Sequence, residues 1–227
     1  MAVVKPLHGI AEAGTHWCAT YHKHHRERLQ MVTSSYDPCL LISSTKNPDF
    51  ACIGMQTDDT NGLSDESLSR RENEELNKAV FTAKPKQTLT ADELLAFNGG
   101  IVSMINNSLS LRQKDQGKKL CLVTKGPGSK QQYVEQRARG AYIASICQPE
   151  ACFDLSAAAQ HQDPSPEDIL NLNRRLRWQM GSLDRGLTFI AVDLATAKLF
   201  VFVDGSFVNN VDLTSQLGFV IILAYET

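Results

Sequence analysis

Strand-like and helix-like runs do not alternate along this chain; they come in blocks. Tyr36-Asp-Pro-Cys-Leu-Leu-Ile42 and Phe50-Ala-Cys-Ile-Gly-Met-Gln56 read as strands, and Ser43-Ser-Thr-Lys-Asn-Pro-Asp49 between them is turn chemistry, which predicts a hairpin. Residues 64–80 read as a helix, with Ser64 as cap, Asp65 and Glu66 in the first turn, and an apolar stripe through Leu68, Leu76, Ala79 and Val80. Thr90-Ala-Asp-Glu93 has the form of a capping box and predicts a short helix. Phe97-Asn-Gly-Gly-Ile-Val-Ser103 and Leu109-Ser-Leu-Arg-Gln113 flank Asn106-Asn107-Ser108, a second hairpin. Helices are expected near 131–147 and 150–160. A third should run from Ser165-Pro-Glu-Asp168 to Met180 and stop at Gly181. The tail is strand-rich, at Leu187 to Val192, Leu199 to Val203 and Leu217 to Ala224, and the last two are expected to pair antiparallel. Such block order predicts an α+β fold rather than βαβ units. Gly126-Pro-Gly-Ser129 is the clearest linker, so the expected division is 1–124, 125–185 and 186–227.

The chain is 42% hydrophobic and 21% charged, enough apolar surface to bury a core, which excludes a wholly disordered or fibrous protein. Its 227 residues suffice for one large domain or two small ones. Lys and Arg number 23 against 25 Asp and Glu, a net charge of −2, so no dominant phosphate-neutralising face is expected, though a local patch fits that balance. The N-terminal stretch lacks the apolar centre of a secretory signal. The longest apolar run, Gly218 to Tyr225, is far short of the roughly 20 residues that span a bilayer, so no membrane partner is expected. The six cysteines form no CxxC pair, which removes the main support for zinc-ribbon and thioredoxin-like sites. Free thiols in a reducing intracellular compartment, cytoplasmic or nuclear, are expected, with Cys39, Cys52 and Cys121 in the core.

Asp58-Asp59 follows an apolar strand directly. Two adjacent carboxylates in a turn repel unless a cation screens them, and Mg²⁺ takes one or two protein carboxylates with water and substrate phosphates completing its shell. Phosphoryl and nucleotidyl transfer use that arrangement. The plain alternative is an exposed acidic turn.

The neighbouring motifs carry a resemblance. Pro6-Leu7-His8-Gly9-Ile10 with Glu12 to Trp17 resembles the PLYGLKQAPRLW segment of retroelement reverse transcriptases, and Ser35-Tyr36-Asp37-Pro38-Cys39-Leu40 resembles their SxxDPCLF strand. Gln56-Thr57-Asp58-Asp59 falls where that family has its YVDD box. Phe97 to Ile101 resembles the FLGI segment, Leu111-Arg112-Gln113 its LSQ, and Arg139 to Glu150 the stretch containing RPD. Leu199 to Phe207 with Ser215 to Phe219 resembles the opening of the ribonuclease H domain. In this order the segments cover nearly the whole chain and resemble a copia-type LTR retrotransposon polyprotein, fungal in style.

The resemblance implies RNA-directed DNA polymerisation on a partial palm, followed by thumb and connection helices and an incomplete ribonuclease H-like β-hairpin. It implies Mg²⁺ as cofactor, an RNA/DNA template-primer as partner, and contact with the rest of a polyprotein. Carried over, Asp58 and Asp59 are two palm metal ligands, Asp204 is the first ribonuclease H acid, and Phe97, Gly99 and Gly100 belong to a primer-gripping hairpin. The sequence also departs from the pattern. Gln56 stands where an aromatic is usual, and Thr60-Asn61-Gly62 stands where an apolar strand is usual. The third palm carboxylate and the later ribonuclease H acids have no counterpart here, so the expectation is a fragment inactive alone. A domesticated relic that binds nucleic acid or protein without catalysis is the alternative.

Two further clusters have competing readings. Five of the six histidines fall between His8 and His25, with Cys18 among them, which suggests zinc, a solvated basic helix face of His22, His24 and His25 with Lys23, Arg26 and Arg28, or a template-contacting face. No standard finger spacing is present, so the solvated face is expected. Arg174-Arg175-Leu176-Arg177-Trp178 sets guanidinium groups beside an aromatic, suited to phosphate contact and base stacking, or else to a solvated face with Leu176 buried.

Overall fold

A computed structural model describes residues 13–56, 59–81, 84–208, 210 and 213–226. The protein is α+β, with helices packed on antiparallel sheets. It divides into two compact units, 1–87 and 88–227.

In the first unit, strands β1 (Met31–Thr33), β2 (Leu40–Ser43), β3 (Ala51–Gln56) and β4 (Asp59–Ser64) form an antiparallel sheet in sequence order. Helices α1 (Ala13–Arg28) and α2 (Glu66–Lys78) share a core with it. Period-two alternation sends Ala51, Ile53 and Met55 of β3 into that core, against Leu41, Leu68 and Leu76. The expected β2–β3 hairpin is present, but its first strand starts at Leu40 rather than Tyr36. Pro38 has no N–H to give a ladder, and the Asp37 side chain accepts from the Cys39 amide at 2.8 Å, so this segment turns instead. The cap of α2 is Asp65, not Ser64. Its carboxylate accepts from the amides of Leu68 at 2.9 Å and Phe50 at 2.7 Å, while Ser64 stays in β4 opposite Ala51.

In the second unit, β5 (Leu95–Phe97), β6 (Gly100–Ile105), β7 (Ser108–Gln113) and β8 (Gly186–Phe189) form an antiparallel sheet in sequence order. Asn106 and Asn107 both have positive φ, 48° and 61°, the left-handed pair that a two-residue hairpin turn needs. No helix follows Thr90. Its hydroxyl accepts from the Glu93 amide at 3.0 Å, which closes a turn ahead of β5. Helices α3 (Ser129–Cys147), α4 (Cys152–Ala159) and α5 (Pro166–Met180) bury Tyr133, Ile143, Leu155, Leu172 and Leu176 together. The helix start at Ser165 is a complete capping box with Asp168, and Gly181 is the C-cap, as the sequence predicts.

The division between units falls at Gln87, not at Gly126-Pro-Gly-Ser129. Those four residues are the turn into α3, and Gly128 at φ 86° is its N-cap. The chain just before them is tied to the helices by side-chain amides. Gln136 Oε1 accepts from Cys121 N at 2.8 Å, and Asn173 bonds both Val123 N at 2.8 Å and Val123 O at 2.9 Å. β7 also pairs with β8, so 109–112 and 186–189 share one sheet. The tail strands β9 (Lys198–Ser206) and β10 (Gln216–Ala224) pair antiparallel, with Asp204 opposite Gly218.

Candidate functional site

The β3–β4 pair places Gln56 opposite Asp59, with Met55 opposite Thr60 behind them. Asp59 is therefore the first ladder residue after the hairpin tip, and it is exposed. Asp58 lies outside the described residues. Thr60-Asn61-Gly62, polar as it is, continues as strand because β4 is an edge with little buried surface to fill. Among the described residues no group of three or more His, Cys, Asp or Glu side chains gathers to hold a metal ion. Asp204, on exposed β9 in the other unit, shares its face with Lys198 and Phe202 and has no carboxylate beside it on the ribbon.

Phe97 ends β5 and Gly100 opens β6, paired directly, with Asn98 and Gly99 as a two-residue turn at φ 45° and 73°. The turn is held from behind, because Tyr142 of α3 donates its hydroxyl to Asn98 O at 3.1 Å. A Cβ on Gly99 would sit 2.3 Å from that hydroxyl oxygen, and one on Gly100 would meet Leu111 Cδ1 at 2.8 Å. Both glycines are thus explained by backbone geometry and close packing in this fold. A role for them toward a ligand rests on the resemblance alone.

The arginine cluster divides. Arg175 is half-buried, ion-paired to Asp154, with its guanidinium 4.9 Å from the Trp178 ring centroid. Arg185, paired to Glu150, approaches the same ring at 5.8 Å. The aromatic partner is therefore already engaged internally. Arg174 and Arg177, three apart on α5, are exposed over buried Leu176.

The histidine segment is a solvated face only in part: Lys23, Arg26 and Arg28 are exposed, while His22 and His24 are half-buried. His25 is fully buried beneath Tyr21 and Glu72, since α1 turns its Trp17–Tyr21–His25 stripe inward against Phe81 and the sheet. His25 Nε2 lies 2.8 Å from Glu72 Oε1, to which the Tyr21 hydroxyl also donates at 2.9 Å; Lys86 Nζ reaches Glu72 Oε2 at 2.6 Å. Burial opposes ionisation of Glu72, but the hydrogen bonds from His25 and Lys86 outweigh it and pull its pKa down to about 2. Burial, and then the Glu72 charge, push the Tyr21 phenol up. Tyr21, His25 and Glu72 of this cluster are buried and Lys86 closes it from the surface, a structural arrangement. The i, i+4, i+8 spacing of Trp17, Tyr21 and His25 was its one sequence signal.

The cysteines also differ from expectation. Cys39, Cys121 and Cys152 are exposed and only Cys147 is buried; all six are free. Cys39 falls in the Asp37 turn just ahead of β2, and Cys121 in the segment bonded to Gln136, so neither cysteine sits on a strand.

Comparison of the chain with protein-family models, with curated proteins and with solved structures finds no match. No described helix is long and apolar enough to cross a membrane.

Proposed function

We propose that this chain is part of a copia-type reverse transcriptase polyprotein, comprising palm, thumb-connection helices and a ribonuclease H-like hairpin, and that it engages template-primer without polymerising alone. The observation that carries the reading is the position of Asp59. It opens β4 directly across from Gln56, at the end of the β3–β4 ladder of a helix-backed sheet. An exposed carboxylate there is open to Mg²⁺ brought in with nucleic-acid phosphates, and in the motif Asp58 precedes it directly in sequence. Among the described residues nothing gathers a third ligand, so no catalytic step is assigned to Mg²⁺ here. Arg174 and Arg177 supply exposed cationic groups on the other unit, suited to phosphate contact. The alternative, a relic retained for binding, is favoured by the exposed apolar ribbon of β9 and β10.

The test pairs two measurements on the full chain. Fluorescence anisotropy with a labelled RNA–DNA template-primer is expected to show binding that weakens with salt, and to weaken further in Arg174→Ala/Arg177→Ala. Primer extension with Mg²⁺ or Mn²⁺ is expected to yield no product. No binding at low salt would overturn the nucleic-acid reading. Extension that disappears in Asp58→Asn would overturn the inactivity.

A further inference from the structure

β9 and β10 pair over nine residues without a bulge, from Lys198↔Ala224 to Ser206↔Gln216. Directly opposed residues of an antiparallel pair share a face. One face of the ribbon therefore carries the pairs Leu199–Leu223, Val201–Ile221 and Val203–Phe219, with Leu217 lying over Gly205. It holds no charge. The other face has Lys198 at one end and Asp204 at the other, with the pairs Phe200–Ile222 and Phe202–Val220 between them.

The apolar residues of the uncharged face are 41–74% exposed. A two-stranded ribbon left open in this way is marginal in water, and a contiguous apolar patch of this kind marks a contact surface. We propose that the uncharged face is the contact surface of a homodimer, with two copies stacking ribbon on ribbon about a two-fold axis.

Charge and area select a second copy as the occupant. The face presents neither sign of charge, so it offers nothing to choose a charged partner, while an isologous contact sets like on like without electrostatic cost. Each copy exposes on the order of 500 Å² of apolar side chain there, so two copies would cover about 1,000 Å², the lower bound for a specific interface. Stacked sheets sit about 10 Å apart with side chains interdigitated, a spacing that Phe219 and the branched residues beside it fill.

Sedimentation velocity of the full chain over about 1–100 µM tests this, the range in which so small an interface associates. Wild type is expected to rise from its 25.1 kDa monomer to twice that mass. Phe219→Lys should remain monomeric throughout. Val220→Lys, the adjacent residue on the opposite face, should dimerise as wild type does. Far-UV circular dichroism verifies that each variant keeps its helices, and Phe219→Gln replaces the lysine variant if that signal is lost. A wild type that stays monomeric overturns the proposal, as does a Phe219 variant that still dimerises or a loss of dimer in both variants. Open-ended growth with thioflavin binding also overturns it, because that outcome assigns the association to the β10 edge.

Discussion

His25 Nε2 lies 2.8 Å from Glu72 Oε1, and the other ring nitrogen, Nδ1, lies 3.0 Å from the carbonyl oxygen of Tyr21. Both ring nitrogens therefore have an oxygen partner in the core, and Glu72 Oε1 also accepts from the Tyr21 hydroxyl at 2.9 Å. The pair joins α1 to α2 in the core of the first unit. Removing Glu72 leaves His25 Nε2 and the Tyr21 hydroxyl buried without their shared acceptor, at about 1–3 kcal/mol for each unsatisfied group.

Glu72→Ala is therefore expected to destabilise the first unit by about 2–6 kcal/mol. Glu72→Gln keeps the shape and one acceptor and should be milder. Urea unfolding followed by Trp17 fluorescence in a Trp178→Phe background reports on this unit, since Trp17 packs 5.5 Å from Phe81 in the same core. Equal midpoints for wild type and Glu72→Ala would refute the assignment.

Acid should act on the same unit first. The folded pKa of Glu72 is depressed from 4.5 to about 2, so its stabilisation is complete above its unfolded value and is lost as pH falls toward 2. Burial, followed by neighbouring positive charge, lowers His22 and His24 from 6.5. For a histidine that is a penalty which grows as pH falls below 6.5, because the unfolded chain then binds more protons. Both signs agree. Trp17 unfolding midpoints in urea should decline from below pH 6.5 and fall steeply below about 4.5. A flat profile between pH 7 and 3 would contradict this.

Local chemistry made several elements legible. The Ser165–Asp168 capping box, the Asn106-Asn107 turn and the β9–β10 pairing all depend on residues close in sequence. Thr90-Ala-Asp-Glu93 shows the limit of such signals, because the same hydroxyl that caps a helix also closes an isolated turn when no apolar period follows. The β7–β8 pairing was not legible, since nothing near Leu109 points to Phe189 as its partner. Within the candidate site, the acidic motif marked the Asp59 position, but the internal use of Arg175 by Asp154 and Trp178 depends on α4 packing against α5. His25 was misread because histidine counts as polar, although its spacing from Tyr21 and Trp17 was that of a core stripe.

Gly140 offers a contest between propensity and packing. It lies mid-helix in α3, where alanine would gain about 1 kcal/mol from backbone entropy and propensity. A Cβ there would stand 2.7 Å from Gln179 Oε1 and 3.0 Å from Leu155 Cδ2. Gln179 cannot withdraw freely, because its amide donates to Gly140 O at 3.0 Å and to Gln148 Oε1 at 3.2 Å. Overpacking costs about 1–3 kcal/mol, so Gly140→Ala is expected to be net destabilising. Thermal unfolding monitored by Trp178 decides it, and a raised Tm would show that the helices separate easily.

Asn173 carries the last prediction. Its side chain bonds Val123 N and Val123 O together, at 2.8 and 2.9 Å, as a neighbouring strand would. Val123 and Leu120 are thereby held in the core that α3, α4 and α5 share. Asn173→Asp preserves the shape and the acceptor for Val123 N but removes the donor to Val123 O. It also buries a carboxylate against that carbonyl. Asn173→Leu removes both bonds and leaves two buried backbone groups unsatisfied, about 1–3 kcal/mol each. Both variants should lose stability, and Asn173→Asp should regain part of it as pH falls and the carboxyl protonates to restore a donor. Urea midpoints of the two variants at pH 7 and 5, followed by Trp178 in a Trp17→Phe background, separate these effects. If Asn173→Asp shows no gain at the lower pH relative to Asn173→Leu, the paired bonding to Val123 is not what holds this segment.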